Sequence, residues 1–138
     1  MYEKLTIFLP EFKKKSFGEW IVDNKNDGSP EHPFHMPFVV YSRAVEDLLH
    51  ATYDFVNEHP EMMLNKYSEI LENAGIQWSA ASMRDADVSL LDGKTTAALL
   101  VGVIRADRFC EGTLLAFCED GSIAKWLLHL QEIDQAAK

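Results

Sequence analysis

The sequence predicts a helix-dominated α+β fold, with about six helices around a central apolar helix and a small antiparallel β-hairpin on one side. Three observations carry this expectation. The run Ala97-Ala98-Leu99-Leu100-Val101-Gly102-Val103-Ile104 is apolar on every face of a helix, which calls for protein on all sides of it. Glu19-Trp20-Ile21-Val22 and Phe38-Val39-Val40-Tyr41 are short runs rich in aromatic and β-branched residues, as strands are. From Ser42 onward, apolar residues recur at helical spacing.

The elements follow in order. Leu5, Phe8, Leu9 and Phe12 share one face of a helix over Glu3 to Lys14, which Pro10 should kink or split. Between the two strands lies Asp23 to Pro37, rich in Asn, Asp, Gly and Pro, hence a long polar loop closing a hairpin. Pro37 restricts the second strand to a strand start or an edge. Ser42 is a good N-cap for a helix carrying Val45, Leu48, Leu49, Thr52, Tyr53 and Val56. His59-Pro60 ends it and opens the next, with Met63, Tyr67, Ile70 and Leu71 as the expected core stripe and Gly75 as the stop. Gln77 to Leu91 reads as irregular, with a turn of helix after Asp87. Asp92 caps the central helix. A shorter helix follows over Glu111 to Phe117, and Asp120-Gly121-Ser122 introduces the last one, with Ile123, Trp126, Leu127, Leu130 and Ile133 inward. Residues 1–138 read as a single globular domain, without repeat or linker.

Composition narrows the function. A chain of 138 residues that is 47% hydrophobic can build a core without staples. The net charge of −9 argues against nucleic acid as a partner, because phosphate neutralisation supplies most non-specific affinity. The one basic run, Lys13-Lys14-Lys15, is more simply a complement to a helix C-terminus. Two cysteines, Cys110 and Cys118, are too few for a disulfide framework and read as reduced thiols near a core. Leu5 to Leu9 is too short for a secretory apolar region and nothing reaches membrane-spanning length, so the expected location is the cytoplasm.

Several signposts carry a family resemblance. Arg105-Ala106-Asp107-Arg108-Phe109-Cys110-Glu111-Gly112, Leu114-Leu115, Gly121-Ser122-Ile123 and Trp126-Leu127 resemble the bacterial family catalogued as domain of unknown function 6508. Gly18-Glu19-Trp20, Met36-Pro37-Phe38 with Tyr41-Ser42, and Leu91-Asp92 are similar to its earlier signposts. Asp107 departs from the usual Glu, and Gly93-Lys94 from commoner residues. The resemblance implies a single bacterial domain and brings no activity, cofactor or catalytic residue with it.

Phosphate-cradling loops, dinucleotide fingerprints, nucleophile elbows and paired cysteines are all missing from the sequence. His32 and His35 have metal-like spacing but lack further ligands, and the simpler reading is a surface loop. Asp85 and Asp87 could bind a cation only with more oxygens, so Asp87 reads as a helix cap. No metal and no cofactor is expected. The sharper constellation is Arg105, Asp107, Arg108 and Glu111, at the end of the most buried helix. Either Arg105 pins a turn by pairing with a carboxylate elsewhere, or Arg105 and Arg108 hold a ligand phosphate or carboxylate. Within the run, Arg108 can reach Glu111 one turn on. Trp20 and Trp78 read as core packing, or as flat walls of a ligand pocket. Two function classes therefore stay open. One is a non-catalytic module binding a protein or small ligand. The other is a small enzyme acting on an anionic metabolite through Arg105 and Arg108, with Asp107 or Glu111 as acid or base.

Overall fold

The computed structural model of the protein describes residues 1–14, 16–22, 28–31 and 37–137. Its elements are α1 (Glu3–Thr6), α2 (Leu9–Phe12), β1 (Gly18–Ile21), β2 (Phe38–Tyr41), α3 (Arg43–Glu58), α4 (Tyr67–Asn73), α5 (Ala80–Asp85), α6 (Gly93–Asp107), α7 (Thr113–Glu119) and α8 (Ser122–Ala136). Short 3-10 turns cover Pro60–Met62, Leu64–Lys66 and Val88–Leu90. The helix-dominated α+β class is as predicted, although the described residues hold eight α-helices, more than periodicity alone suggests. Pro10 accounts for one of the extras by splitting the first helix into α1 and α2, where it takes an early position that needs no N–H. Ser79 accounts for another. Its side chain accepts the Ser82 N–H and so starts α5 inside a stretch that reads as irregular.

α6 is the axis of the fold. All residues from Thr95 to Ile104 are buried, and the helix packs against α4, α7 and α8. Its start is closed by side chains: the Asp92 carboxylate accepts the Thr95 N–H at 2.8 Å, and Thr96 Oγ1 donates to the Asp92 carbonyl at 2.8 Å. Gly93 lies directly beneath the Tyr2 ring, where any Cβ would collide with the phenol. α8 is amphipathic in the expected way, burying Ile123, Trp126, Leu127 and Leu130.

One expected core residue is misplaced. Met63 does not belong to a core stripe. It is 46% exposed and adopts the left-handed conformation at φ 53°. The chain after Pro60 forms two tight 3-10 turns before α4 begins, and the reversal between them turns Met62 and Leu64 inward instead.

β1 and β2 pair antiparallel, with Gly18 opposite Tyr41, Glu19 opposite Val40, Trp20 opposite Val39 and Ile21 opposite Phe38. Side chains alternate across a strand. Gly18, Trp20, Val39 and Tyr41 therefore face the protein, and Ile21, Phe38 and Val40 are left exposed. The hairpin's inner face sits on the turn between α6 and α7. The expected helix over Glu111 to Phe117 begins later than expected, because Gly112 takes a left-handed conformation at φ 91° and keeps Glu111 in that turn. Most of the long polar loop, His32 and His35 included, lies outside the described residues. Among the described residues no group of three or more His, Cys, Asp or Glu side chains is placed to hold a metal ion. No helix among them is long and apolar enough to cross a membrane.

Candidate functional site

The charged run at the end of α6 separates into two halves with different fates. Its carboxylates are spent on the fold. One oxygen of Asp107, Oδ1, accepts from the Tyr41 hydroxyl at 2.9 Å, the Leu114 N–H at 3.0 Å and the Gly112 N–H at 3.1 Å. The Tyr41 oxygen accepts in turn from the Leu115 N–H at 3.2 Å. Asp107 thus serves as a distant cap for the first turn of α7, which has no capping side chain of its own. Glu111 Oε1 accepts the Val39 N–H at 2.8 Å and occupies the outer edge of β2. Trp20 completes the junction: its indole lies over Gly112, in space that a Cβ would need.

These bonds limit what the two acids and the phenol can do. Burial, and after it the neighbouring Asp107 carboxylate, push the Tyr41 phenol well above its ordinary range. It stays protonated and donating. Burial and Asp107 also push the Cys118 thiol up to about 12, which leaves it inert. Cys110 is not near the core as expected but exposed.

The arginines are left over. Arg105 is not the expected pin on a distant carboxylate. Among the described residues no carboxylate lies within ion-pair distance of it, and its guanidinium instead sits 5.7 Å from the centre of the Tyr53 ring. Arg108 is exposed and makes no ion pair with Glu111, whose Oε1 accepts the Val39 N–H instead. The contrast with Arg84 is direct: that guanidinium bonds Asp120 at 2.6 Å and stacks 4.6 Å from the centre of the Phe117 ring.

An open aromatic cleft of about 300 Å³ is lined by Trp78, Ala106, Phe109 and Cys110, and neither arginine is among its lining residues. Trp78 is 40% exposed, and its Nε1 donates to the Gly102 carbonyl at 2.9 Å. It meets Tyr67 edge-on at 5.3 Å and Phe109 edge-on at 6.1 Å between ring centres. Phe109 is 81% exposed. Of the candidate residues, the structure thus joins Asp107, Glu111 and Trp20 in one architectural knot and leaves Arg105 and Arg108 out of it. Trp78 packs against Tyr67 and lines the cleft as well. Phe109 and Tyr41 were not singled out in the sequence. A signal for Phe109 is present all the same: Gly102, Arg105, Ala106 and Phe109 follow i, i+3, i+4, i+7 spacing, one helical face.

These features define a helix-dominated α+β domain whose hairpin is fastened to the turn after its central helix, beside an open aromatic cleft. The chain belongs to the family of unknown function DUF6508, whose model matches residues 2–136. No curated protein and no solved structure matches it significantly.

Proposed function

We propose that this domain is a non-catalytic binding module, with the face formed by Trp78, Ala106 and Phe109 as its recognition surface. The observation that carries the reading is Phe109: a phenyl ring 81% exposed, propped edge-on against a half-exposed tryptophan beside an open cleft. Such a ring contributes little to folding where it stands, and clustered exposed aromatics mark interaction sites. The cleft's volume of about 300 Å³ is at the bottom of the range for small-molecule sites, which suits a single bulky side chain. The engagement of Asp107 and Glu111 supports the same reading, since an enzyme using the arginines would need one of those acids free. We place the module in a reducing cytoplasm, in keeping with its unpaired Cys110 and Cys118.

One observation favours the second reading, an enzyme or receptor for an anionic metabolite: neither Arg105 nor Arg108 has a carboxylate partner among the described residues. A fragment screen by protein NMR separates the two. Apolar and aromatic fragments should perturb the Trp78 indole N–H and the Phe109 ring, and Phe109→Ala should abolish those shifts. Hits confined to phosphates and carboxylates, dependent on Arg105 and indifferent to Phe109→Ala, would reverse the order of the two readings.

A further inference from the structure

The hairpin has two edges, and the chain closes only one of them. On β2 the Val39 N–H is taken by Glu111, so it points away from β1. In an antiparallel pair, facing residues alternate between exchanging both backbone bonds and turning both groups outward. Trp20 faces Val39, and Gly18 faces Tyr41 two places on. Both therefore turn N–H and C=O away from β2, and the alternation carries on to Val22. Among the described residues nothing meets these groups. An open edge of this kind templates a further strand, and chains usually blunt it with Lys, Pro, a bulge or an inward-pointing charge. Gly18-Glu19-Trp20-Ile21-Val22 has none of these, since its one charge, Glu19, shares the outer face with Ile21. The hairpin is also where exposed apolar side chains gather: Trp20, Ile21, Val22, Phe38 and Val40 are each more than a third exposed.

We propose that β1 is a dimerisation edge, and that its occupant is β1 of a second copy of this chain, running antiparallel about a two-fold axis at Trp20. The match is one of register. Centring the axis there sets Trp20 opposite Trp20 of the second copy, and Gly18 opposite its Val22. These are the residues whose backbone groups are unused, so every such pair exchanges both bonds. On the outer face Glu19 falls opposite Ile21 of the second copy, so no two like charges stand face to face. On the inner face Val22 falls opposite a glycine, which leaves room for it, and the two indoles meet beside the axis. Trp20 is 46% exposed even with its ring over Gly112, and a second indole covers part of what remains. A two-fold axis repeats each contact, so one segment that fits itself is enough. A contact one strand long falls below the roughly 1,200 Å² of a stable complex, and both copies carry a charge of −9. The dimer is accordingly weak, forms at high protein concentration, and tightens as salt screens the repulsion. It draws on the hairpin alone and is independent of what the Trp78–Phe109 cleft binds.

Sedimentation equilibrium on the full chain, from about 1 µM to about 1 mM, reads the association directly. The wild type should pass from monomer to dimer within that range, and at lower concentration in high salt. In dilute protein the Trp20 amide should exchange freely, and it should slow as the dimer forms. Val22→Pro removes the N–H donated to Gly18 of the second copy and spares the β1–β2 ladder, because that N–H points outward. One backbone bond is lost on each side of the axis, so the dissociation constant should rise about tenfold. Phe109→Ala should dimerise as the wild type does. A second readout stands even where Val22→Pro fails to fold. In a Cys110→Ser background, a mixture of Glu19→Cys and Ile21→Cys should cross-link on oxidation with glutathione disulfide, since facing residues hold their Cβ atoms about 5 Å apart. Glu19→Cys alone should not. A wild type still monomeric at about 1 mM would overturn the inference, as would a dimer that weakens with salt or is lost in Phe109→Ala. Cross-links as ready in Glu19→Cys alone as in the mixture, or a folded Val22→Pro that dimerises undiminished, would equally sink it.

Discussion

The two ends of α6 are built from the same helix and treated in opposite ways. At the N-terminal end the charged and polar side chains find partners within the chain: Asp92 caps the first turn, Thr96 closes back on it, and the Tyr2 phenol covers Gly93. At the C-terminal end the accounting is left incomplete. Asp107 and Glu111 are absorbed by neighbouring backbone, while Arg105, Arg108 and Phe109 remain with unused binding capacity. The difference teaches that charge density in a sequence does not distinguish structure from function. What distinguishes them is whether each group's partner lies within the chain.

The sharpest way to break that comparison is to substitute along the helix. Leu100→Ala, at a position 1% exposed, should cost about 2–5 kcal/mol in urea unfolding. Phe109→Ala, nine residues further on, should shift stability by no more than about 0.5 kcal/mol. Similar losses at both positions would mean that Phe109 belongs to the core and that the cleft is not a free surface. Asp107→Ala comes next. It orphans two backbone N–H groups and the Tyr41 hydroxyl, and should cost about 2–3 kcal/mol, the scale of hydrogen bonds to a charged group. A loss below about 1 kcal/mol would return Asp107 to the list of groups available for chemistry.

A smaller effect tests the closed end. Asp92→Ala should cost about 1 kcal/mol at neutral pH, as loss of an N-cap does. The hydrogen bonds from Thr95 hold the Asp92 carboxyl below its ordinary value of 3.8. A depressed carboxylate adds stability above its unfolded pKa and loses it as pH falls through the folded one. The gap between wild type and Asp92→Ala should therefore be full at neutral pH and close progressively below pH 3.8. The smallest effect belongs to the arginines. With no carboxylate partner among the described residues, Arg105→Ala and Arg108→Ala should each change stability by less than about 1 kcal/mol, Arg105 the more because it covers Tyr53. A loss of several kcal/mol at Arg105 would reveal a buried partner.

Much of the fold was legible because it follows from periodicity and local caps. The all-apolar run Ala97–Ile104 announces its burial, and Ser42, Asp87 and Asp92 each accept a nearby backbone N–H as their positions suggest. Met63 was misread because a left-handed residue between two tight turns breaks the helical phase that the pattern assumes. The site was less legible. Asp107, Arg105 and Arg108 look alike as charges in one run, and their fates depend on Tyr41, Val39 and Tyr53, which come from distant segments. The cleft was hidden for the same reason, since Trp78 and Phe109 meet only after α5 and the 3-10 turn following it have brought the chain back to α6.

The knot around Asp107 also sets how the molecule opens. One carboxylate oxygen joins β2, the α6–α7 turn and the start of α7, and Glu111 ties the same turn to the edge of β2. None of these pieces can leave without orphaning donors on the others, so they should open as one cooperative unit and not fray separately. In native-state hydrogen exchange the amides of Val39, Gly112, Leu114 and Leu115 should share a single opening free energy, and Asp107→Asn should lower all four together. Strand β1 reaches that unit through its pairing with β2 and the Trp20–Gly112 contact, and should exchange faster than any of them.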